Sequence, residues 1–513
     1  MEFPIPSSIL PSVLLTFLII IFTVLKVGKR SKTNNGALNL PPGPRKLPFI
    51  GNLHQLAALG SLPHRGLRQL AEIYGPFMHL QLGEISTIVV SSPEFAEQVM
   101  KTHDAVFASR PFNELANIMS YGYTDIIFSP YGEYWRKLRK ICTLELLSLK
   151  RVQSLQSLRE EEMANLINSI AAKAGSVMNF TEAVFSSTYG LTARAAFGKK
   201  CKDQEKFKAA IKEVSQLLAG FHIADLFPSI RFLYSISGVK AKMEKLMQEC
   251  DRILEKIVNE HKMADRSEGD KDLVDVLLKF QENGDPQFSL TTQNVKAVLF
   301  DVFSAGSDTS ATLMEWAMSE LIKNPRVMRK AQAEVRAVFN RKGKVDGTSM
   351  SEMKYLKLVI KETLRLHPAA PLLIPRESRE PCEINGFNVP AKTKVMINAW
   401  AIARDPKYWM EPESFNPERF SDSSLDYRGT NFEYIPFGAG RRMCPGITYG
   451  LANVEFPLAS LLYHFDWKLA GGMKEEDLEM EERFGVTITR KHDLRVIPIL
   501  YQPETEMKVA DYN

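Results

Sequence analysis

One cysteine of this sequence stands in surroundings that suit metal ligation or nucleophilic attack. Cys444 lies near the end of the run PFGAGRRMCPG. A helix is predicted to begin near Pro445 and to run to about His464, because proline suits the first helical position. The dipole of that helix and the adjacent Arg441 and Arg442 favour the thiolate form of the cysteine. The position therefore suits a ligand or a nucleophile.

The glycines of the same run favour the metal-ligand interpretation. Gly438, Gly440 and Gly446 permit a tight turn in which backbone N–H groups point at the sulfur. Such donors tune the redox potential of an iron–thiolate pair. A hydrolase would instead need a histidine base beside Cys444, and nothing in the sequence places His464 near it.

The other four cysteines, Cys142, Cys201, Cys250 and Cys382, are predicted to be inert. A lone cysteine usually packs as a small hydrophobic residue. Five cysteines without CxxC spacing indicate neither a disulfide framework nor a zinc site. A reducing compartment is therefore favoured.

A second candidate region lies within one long helical segment. The pattern predicts a helix from Thr292 to Lys323, with Thr291 or Thr292 as N-cap and Pro325 just beyond its end. As a continuous helix it would be about 48 Å long. Its middle, AGSDTS, collects weak helix formers around Gly306, so we expect a local break there.

The elements that must position these residues are mainly α-helical with a minor β portion. Helical periodicity dominates from about residue 63 to 370. From residue 371 the pattern changes to short, proline-punctuated segments, and the pieces TKVMINAW and FGVTIT are predicted to be strands.

The amino terminus predicts a membrane anchor. Residues 9–25 are almost wholly apolar and just long enough to span a bilayer as a helix, and a cluster of Lys and Arg follows. The positive-inside rule then places the remaining bulk in the cytosol. We predict an anchor at 1–26, a basic linker and proline-rich hinge at 27–44, and a catalytic domain at 45–513.

Composition excludes other classes of protein. The 513 residues are 45% hydrophobic and 24% charged, which is typical of a folded globular chain. The net charge of +5 is spread without any long basic run, so no nucleic-acid partner is expected.

The motifs and their order along the chain resemble those of the cytochrome P450 superfamily. Phe437, Gly440, Arg442, Cys444 and Gly446 reproduce its FxxGxRxCxG signature. The resemblance covers essentially the whole chain and implies the cytochrome P450 fold, haem b, and Cys444 as the axial ligand of the haem iron.

The resemblance also assigns structural and haem-binding roles. It implies that KETLR and PERF supply a buried ionic network behind the haem, formed by Glu362, Arg365 and Arg419. It implies that the haem propionates are held by Trp135, Arg139, Arg376 and Arg442, through hydrogen bonds that the cations strengthen. Further haem contacts are expected from Phe437, Gly438, Gly446, Ala305 and Gly306.

AGSDTS matches the family's oxygen-activation motif, whose acid and alcohol act on protons. The resemblance implies that Thr309 presents a hydroxyl to dioxygen at the haem and that Asp308 feeds protons from solvent. Enzymes of the family that rearrange or dehydrate a substrate often lose this pair, and its presence also argues against a haem sensor without turnover.

The substrate pocket is expected to be largely apolar, which suits a terpene-like ligand better than a charged acid. By position it is lined by residues 111–128 and by Val298, Asp301, Val302, Ala305, Ala370, Leu372, Ile374, Phe484 and Val486. Asp301 is the exception. It either orients a substrate hydroxyl or basic nitrogen, or makes a local structural hydrogen bond.

The electrons must come from another protein, because no GxGxxG fingerprint is present: Gly438 and Gly440 are followed by Met443 where the third glycine should be. The resemblance implies an NADPH-dependent diflavin reductase of the endoplasmic reticulum and admits cytochrome b5 as a further donor. The details look most like the plant microsomal A-type branch. The prediction is thus a membrane-anchored monooxygenase that hydroxylates a plant terpenoid, with oxidation of an alkaloid or phenolic metabolite, or a non-hydroxylating reaction, as alternatives.

Overall fold

The computed structural model describes residues 38–199, 203–219, 222–230, 232–263, 272–282 and 289–502. The predicted anchor, most of the linker and Cys201 lie outside these ranges. Among the helices within them, none combines the length and the apolar character that a bilayer crossing requires.

Helices account for most of the described chain, as predicted. They are α1 (Leu53–Ala58), α2 (Pro63–Tyr74), α3 (Pro93–Glu97), α4 (Glu114–Met119), α5 (Glu133–Ile141), α6 (Leu149–Ser154), α7 (Gln156–Ala171), α8 (Phe180–Phe197), α9 (Gln204–Ala219), α10 (Ile223–Leu226), α11 (Phe232–Ser237), α12 (Val239–Met263), α13 (Leu273–Glu282), α14 (Thr292–Lys323), α15 (Pro325–Lys342), α16 (Lys354–Leu366), α17 (Ala399–Ile402) and α18 (Ile447–His464). Single π turns follow α3 and α5, at Gln98–Thr102 and Cys142–Leu146.

The minor β portion consists of small sheets. The strands are β1 (Phe77–Leu82), β2 (Ile85–Val90), β3 (Met178–Asn179), β4 (Arg376–Glu377), β5 (Cys382–Ile384), β6 (Phe387–Val389), β7 (Lys394–Ile397), β8 (Phe465–Leu469), β9 (Glu482–Arg483), β10 (Thr489–Arg490) and β11 (Arg495–Leu500). They pair in the orders β1-β2-β7-β4, β3-β11-β8, β9-β10 and β5-β6. Mainly α with a minor β portion is therefore confirmed.

The hairpin β1–β2 lies inside the range that was predicted to be helical, and that part of the prediction is wrong. Its register runs from Phe77 opposite Val90 to Leu82 opposite Ile85, around Gly83. Both strands are buried over most of their length. A strand that is covered on both faces shows no alternation of polar and apolar residues, so the pattern that identifies strands is absent.

The two predicted strands have different outcomes. In TKVMINAW the segment Lys394–Ile397 is strand β7, and the last residues enter α17, which the Asn398 side chain caps. In FGVTIT only the final threonine is in a strand. Residues 484–488 form the tip of the β9–β10 hairpin, where a Cβ on Gly485 would lie 2.7 Å from the Thr487 carbonyl oxygen.

Helix α14 is continuous from Thr292 to Lys323, so the predicted break at its centre is wrong. Thr291 and Asn294 form a capping box at its start. In the middle, Ser307 and Thr309 donate their hydroxyls to carbonyls four residues earlier, at 2.7 Å each. Such side-chain bonds can accompany the backbone bonds of a helix without replacing them.

The core lies on both sides of α14. One apolar cluster joins α14 to α15, α16 and α18, and another joins it to α8, α9, α12 and α13. Helix α18 begins two residues after Pro445 and ends at His464 as predicted. Helices α14 and α18 therefore form a rigid frame next to the cysteine loop.

Candidate functional site

The cysteine loop is a tight turn in front of α18. The Cys444 N–H donates to the Phe437 carbonyl oxygen at 3.0 Å. Gly438 and Gly440 have φ of +70° and +68°, which favour glycine. A Cβ at Gly440 would lie 2.1 Å from the Met100 carbonyl oxygen, so no other residue fits there without a shift of backbone.

The side chain of Cys444 has accessible surface although the residue lies deep in the protein. Burial raises the pKa of its thiol. The Gly446 N–H and the Arg139 charge act in the opposite direction and favour the thiolate.

The other described cysteines differ from Cys444. Cys142 and Cys250 are fully buried, and burial raises the pKa of both thiols, to about 12 at Cys250. Cys382 is half-buried at the start of β5. Among the described cysteines, Cys444 is therefore the one suited to bind a metal.

Helix α14 supplies another wall next to the loop. Ala305 is exposed although it lies at the centre of a helix whose residues are otherwise mostly buried. A Cβ on the neighbouring Gly306 would lie 3.3 Å from the ring of Tyr449, so α14 crosses α18 at this point. Since Cys444 lies just before α18, the exposed surfaces of Ala305 and Cys444 belong to the same region of the molecule.

Three of the predicted arginines hold the cysteine loop or its surroundings. Arg139 donates to the Met443 carbonyl oxygen at 2.5 Å. Arg376 donates to the Ala439 carbonyl oxygen at 2.8 Å and pairs with Asp104 at 3.2 Å. Arg442 donates to the carbonyls of Ala108, at 2.6 Å, and of Ser129.

Trp135 lies between two of these cations. Its ring centroid is 4.1 Å from the guanidinium carbon of Arg442 and 5.3 Å from that of Arg139. The indole N–H donates to the Ile126 carbonyl oxygen at 2.9 Å. In this structure the tryptophan therefore supports the arginines by cation–π contact.

Arg110 joins this cluster, and the sequence analysis missed it. Its guanidinium donates to the carbonyls of Ile127, Ile374 and Pro375 at 2.7–3.0 Å. The string SRP gives no sign of this, because the partners lie far away in sequence.

The arginine cluster brings several positive charges close together. Burial and the charges of Arg442 and Arg376 hold the pKa of Arg110 well below its ordinary value, and burial with the Arg376 charge lowers the pKa of Arg442 to about 9. A guanidinium stays protonated in proteins, so these cations repel each other, and Asp104 and Asp125 offset the repulsion in part. A ligand with carboxylates would relieve that repulsion.

The acid and the alcohol of the AGSDTS motif are adjacent but separately engaged. The Thr309 hydroxyl donates to the Ala305 carbonyl oxygen at 2.7 Å. The Asp308 carboxylate accepts a hydrogen bond from the Tyr189 hydroxyl at 2.6 Å, and burial raises the pKa of the aspartate.

Asp301 makes a local structural hydrogen bond, one of the two alternatives that the sequence left open. Its Oδ2 accepts from the N–H groups of Ile126 and Ile127, at 2.8 Å and 3.3 Å. Burial and the nearby Asp125 raise its pKa. Asp301 thereby fastens the segment 125–129, which carries the partners of Trp135 and Arg442, to α14.

Two of the predicted pocket segments meet. The Ile488 N–H donates to the Ala369 carbonyl oxygen at 2.9 Å, which joins the hairpin tip carrying Phe484 and Val486 to the segment carrying Ala370, Leu372 and Ile374. The Trp316 indole N–H of α14 donates to the Ile488 carbonyl oxygen at 3.0 Å.

Other predicted pocket residues are well packed. Val298 is fully buried in the helical core, and Val302 lines a small cavity with Thr192 and Tyr449. Leu372 packs against the apolar cluster beside β1. Val298, Val302 and Ala305 are spaced four and three residues apart on α14, so they share one side of the helix.

Glu362, Arg365 and Arg419 form a buried network. Arg365 makes two hydrogen bonds of 2.8 Å to Glu362, and Arg419 makes one of 3.0 Å. Arg365 also donates to the carbonyls of Ala403, Pro412 and Ser414. The network therefore anchors the irregular chain that leads to the cysteine loop.

Comparison with known proteins identifies the family of this arrangement. The model of the family "Cytochrome P450" matches residues 41–495. The chain is 54% identical to tabersonine 6,7-epoxidase isoform 1 of Catharanthus roseus, over 94% of this chain and 97% of that protein. It is 51% identical to premnaspirodiene oxygenase of Hyoscyamus muticus, over 96% and 98%. A zebra fish cytochrome P450 solved with abiraterone is 25% identical, with a TM-score of 0.73 over 86% of this chain and 100% of that one.

Proposed function

Because the chain belongs to the cytochrome P450 family, with plant A-type members as its relatives, and is a monooxygenase of that family, we propose that it hydroxylates a hydrophobic small molecule, foremost a plant terpenoid. The reaction uses dioxygen and electrons that NADPH supplies through a separate reductase. The observation that carries this proposal is the accessible thiol of Cys444 beside a buried cluster of arginines.

The residues present fit a haem. Cys444 supplies a thiolate at the wall of an internal space, and Ala305 leaves room beside it. Arg110, Arg139, Arg376 and Arg442 would bind the two propionates, whose negative charge offsets the repulsion among these cations. When bound through a thiolate, haem supplies the oxygen chemistry of the family.

The protein's own residues hold and transfer protons and close one side of the site. Thr309 holds a hydroxyl next to the accessible surface of Ala305, and the adjacent Asp308 can take up a proton because burial raises its pKa. Asp301 and Arg442 fix the segment 125–129 and so close this side of the site. An intact acid and alcohol favour hydroxylation over rearrangement or dehydration.

A terpenoid is favoured as substrate by the apolar lining and by the relatives. Phe484, Ile374 and Ala370 are half-buried apolar residues on the two segments that meet beside α14. Oδ2 of Asp301 is engaged with backbone N–H groups and Oδ1 is buried, which disfavours pairing of this carboxylate with a substrate amine. The name premnaspirodiene oxygenase supports a terpenoid, whereas tabersonine 6,7-epoxidase makes an alkaloid the second candidate.

An exposed apolar surface supports attachment to the endoplasmic-reticulum membrane. Phe49 and Ile50 are exposed beside Gly83, whose N–H donates to the Ile50 carbonyl oxygen. On the other side of Gly83 lies Leu226, in the short helix α10. This helix and α11 carry Ile223, Phe232 and Ile236, which are 61–71% exposed. Exposed apolar residues on neighbouring elements are typical of contact with a membrane. Together with the predicted anchor, these residues favour a cytosolic catalytic domain that is held at the membrane. A diflavin reductase, and cytochrome b5 as a further donor, would reach the domain there.

A substrate screen tests the proposal. The full chain is produced in membranes with a diflavin reductase and is titrated with terpene hydrocarbons, indole alkaloids and phenolics, while the Soret band is recorded. We expect a terpene to shift the band and to yield a product whose added oxygen atom derives from labelled dioxygen. A shift and product only with alkaloids would select the second candidate, and product without label from dioxygen would contradict monooxygenation.

A further inference from the structure

A tyrosine on α8 donates a hydrogen bond to the carboxylate of Asp308. Tyr189 is 1% exposed, and its ring packs edge to face on Phe303 of α14, with 5.4 Å between the ring centroids. Its hydroxyl donates to Oδ1 of Asp308 at 2.6 Å. This contact lies within the packed interface between α8 and α14, so the donor is rigidly placed.

The charges around Asp308 are few. Burial raises the pKa of Asp308, the Tyr189 hydrogen bond lowers it, and Lys212 on α9 lowers it further. Lys212 is exposed. On α18, Tyr449 faces the neighbouring Gly306, and burial raises the pKa of its hydroxyl. Tyr189 is therefore the direct donor to the carboxylate.

The Asp308 carboxylate is bonded on a different side of α14 from the Thr309 hydroxyl. Asp308 and Thr309 are successive residues on a helix and are directed about 100° apart. The carboxylate is bonded toward α8, and the Thr309 hydroxyl is bonded to its own helix at Ala305. Because Oδ1 of Asp308 is bonded toward α8, rotation of the aspartate side chain toward Thr309 would break the bond to Tyr189.

We propose that Tyr189 is a positioning residue that holds the Asp308 carboxyl on the α8 side of α14 and releases it toward Thr309 for proton delivery. The inference rests on the proposed monooxygenase function and deepens it. Only protons move in this step: one passes from solvent to a carboxylate oxygen of Asp308 and from there to the Thr309 hydroxyl oxygen, which gives its own proton to the accessible side of α14, so that the carboxylate and the hydroxyl are both restored.

The test is Tyr189→Phe, which keeps the ring and removes the hydroxyl. Hydrogen bonds to charged groups stabilise the ionised form, so their loss raises the pKa of the acid by about one unit. Product formed per NADPH consumed is measured as a function of pH. We expect the pH at which it declines on the alkaline side to rise by about one unit. Tyr463→Phe is the matched control, because its hydroxyl bonds to Asn340 at 2.9 Å on the exposed side of α18.

An infrared titration of the resting enzyme provides a readout without turnover. The band of the protonated Asp308 carboxyl is assigned by its loss in Asp308→Asn. We expect it to persist to higher pH in Tyr189→Phe. Lys212→Gln changes an exposed residue that does not threaten folding, and it should move the same band in the same direction by a smaller amount.

The outcomes separate the two proposals. An unchanged band and an unchanged alkaline limb in Tyr189→Phe, with or without lower stability, would show that the tyrosine only packs the interface. A shift that persists in the Asp308→Asn background would also overturn the inference. Failure of the wild-type enzyme to form an oxygenated product from any tested compound would contradict the monooxygenase function. The infrared titration would still test whether Tyr189 acts on the Asp308 carboxyl.

Discussion

The hydroxyl of Thr309 lies beside the accessible surface of α14. Its Oγ1 donates to the carbonyl oxygen of Ala305, the exposed residue one turn earlier. The buried hydroxyl of Ser307 makes the same bond to Phe303. Because only the first of these hydroxyls lies at the open side of the helix, we assign proton delivery to Thr309.

Thr309→Ala is expected to leave haem binding intact and to divert reducing equivalents to peroxide. The hydroxyl that orients the proton is lost, and we expect product formation to fall by roughly 100-fold, the lower end of the range for general acid catalysis. The measurement is peroxide and product formed per NADPH consumed. Thr309→Ser, which keeps the hydroxyl, should restore coupling, and unchanged coupling in the alanine variant would mean that Thr309 is only a helix residue.

At the scale of elements, the cysteine loop depends on a buried ion pair. Glu362 and Arg365 of α16 are both fully buried, and the Asn416 N–H donates to the glutamate at 2.9 Å. Arg365 bonds to three backbone carbonyls between residues 403 and 414. The network thus fixes irregular chain that has little regular secondary structure of its own.

Glu362→Ala is expected to destabilise the protein by about 3–5 kcal/mol, because it leaves two guanidinium groups buried without their anion. The free energy of unfolding in urea measures this, with haem release followed in parallel. Glu383→Ala on the exposed β5–β6 hairpin is the control and should change stability by less than about 0.5 kcal/mol. Equal stability of the two variants would contradict an anchoring role.

Elements and contacts were predictable to different degrees. The Cys444 loop and α18 are contiguous, so local spacing sufficed. Helix α14 was predicted with the correct ends, but its hydroxyl-to-carbonyl bonds cannot be read from propensity, and the expected break was wrong. The bonds of Arg110 to Ile374 and Pro375 and the Tyr189–Asp308 bond join residues more than 100 positions apart, where periodicity carries no information.

At the scale of the whole molecule, basic residues surround the cysteine loop. Lys140 is exposed on α5, Lys137 is partly exposed beside Glu133, and Arg441 is half-exposed beside Asp104. Helix α5 also carries Arg139, which touches the loop. An electron donor that approaches this face would meet a positive surface.

Lys137→Glu combined with Lys140→Glu is expected to raise the reductase concentration needed for half-maximal turnover. Steering between exposed charges acts on the association rate and weakens as salt rises, since the screening length is about 8 Å at physiological ionic strength. The variant should therefore also show a flatter salt dependence, with unchanged haem and substrate-binding spectra.

The matched control reverses two exposed lysines on other helices, Lys206→Glu with Lys245→Glu on α9 and α12. It makes the same change in net charge away from the cysteine loop. A reductase titration that responds equally to both double variants would refute steering by this face.

The proposed function depends on ligation of haem iron by the Cys444 thiolate. The most direct measurement is the absorption spectrum of the reduced, carbon monoxide-treated enzyme, whose red-shifted Soret band reports a thiolate ligand. Cys444→Ala should abolish that band, whereas Cys382→Ala, at a half-buried cysteine outside the site, should retain it in full. Retention of the band in Cys444→Ala would contradict the assignment.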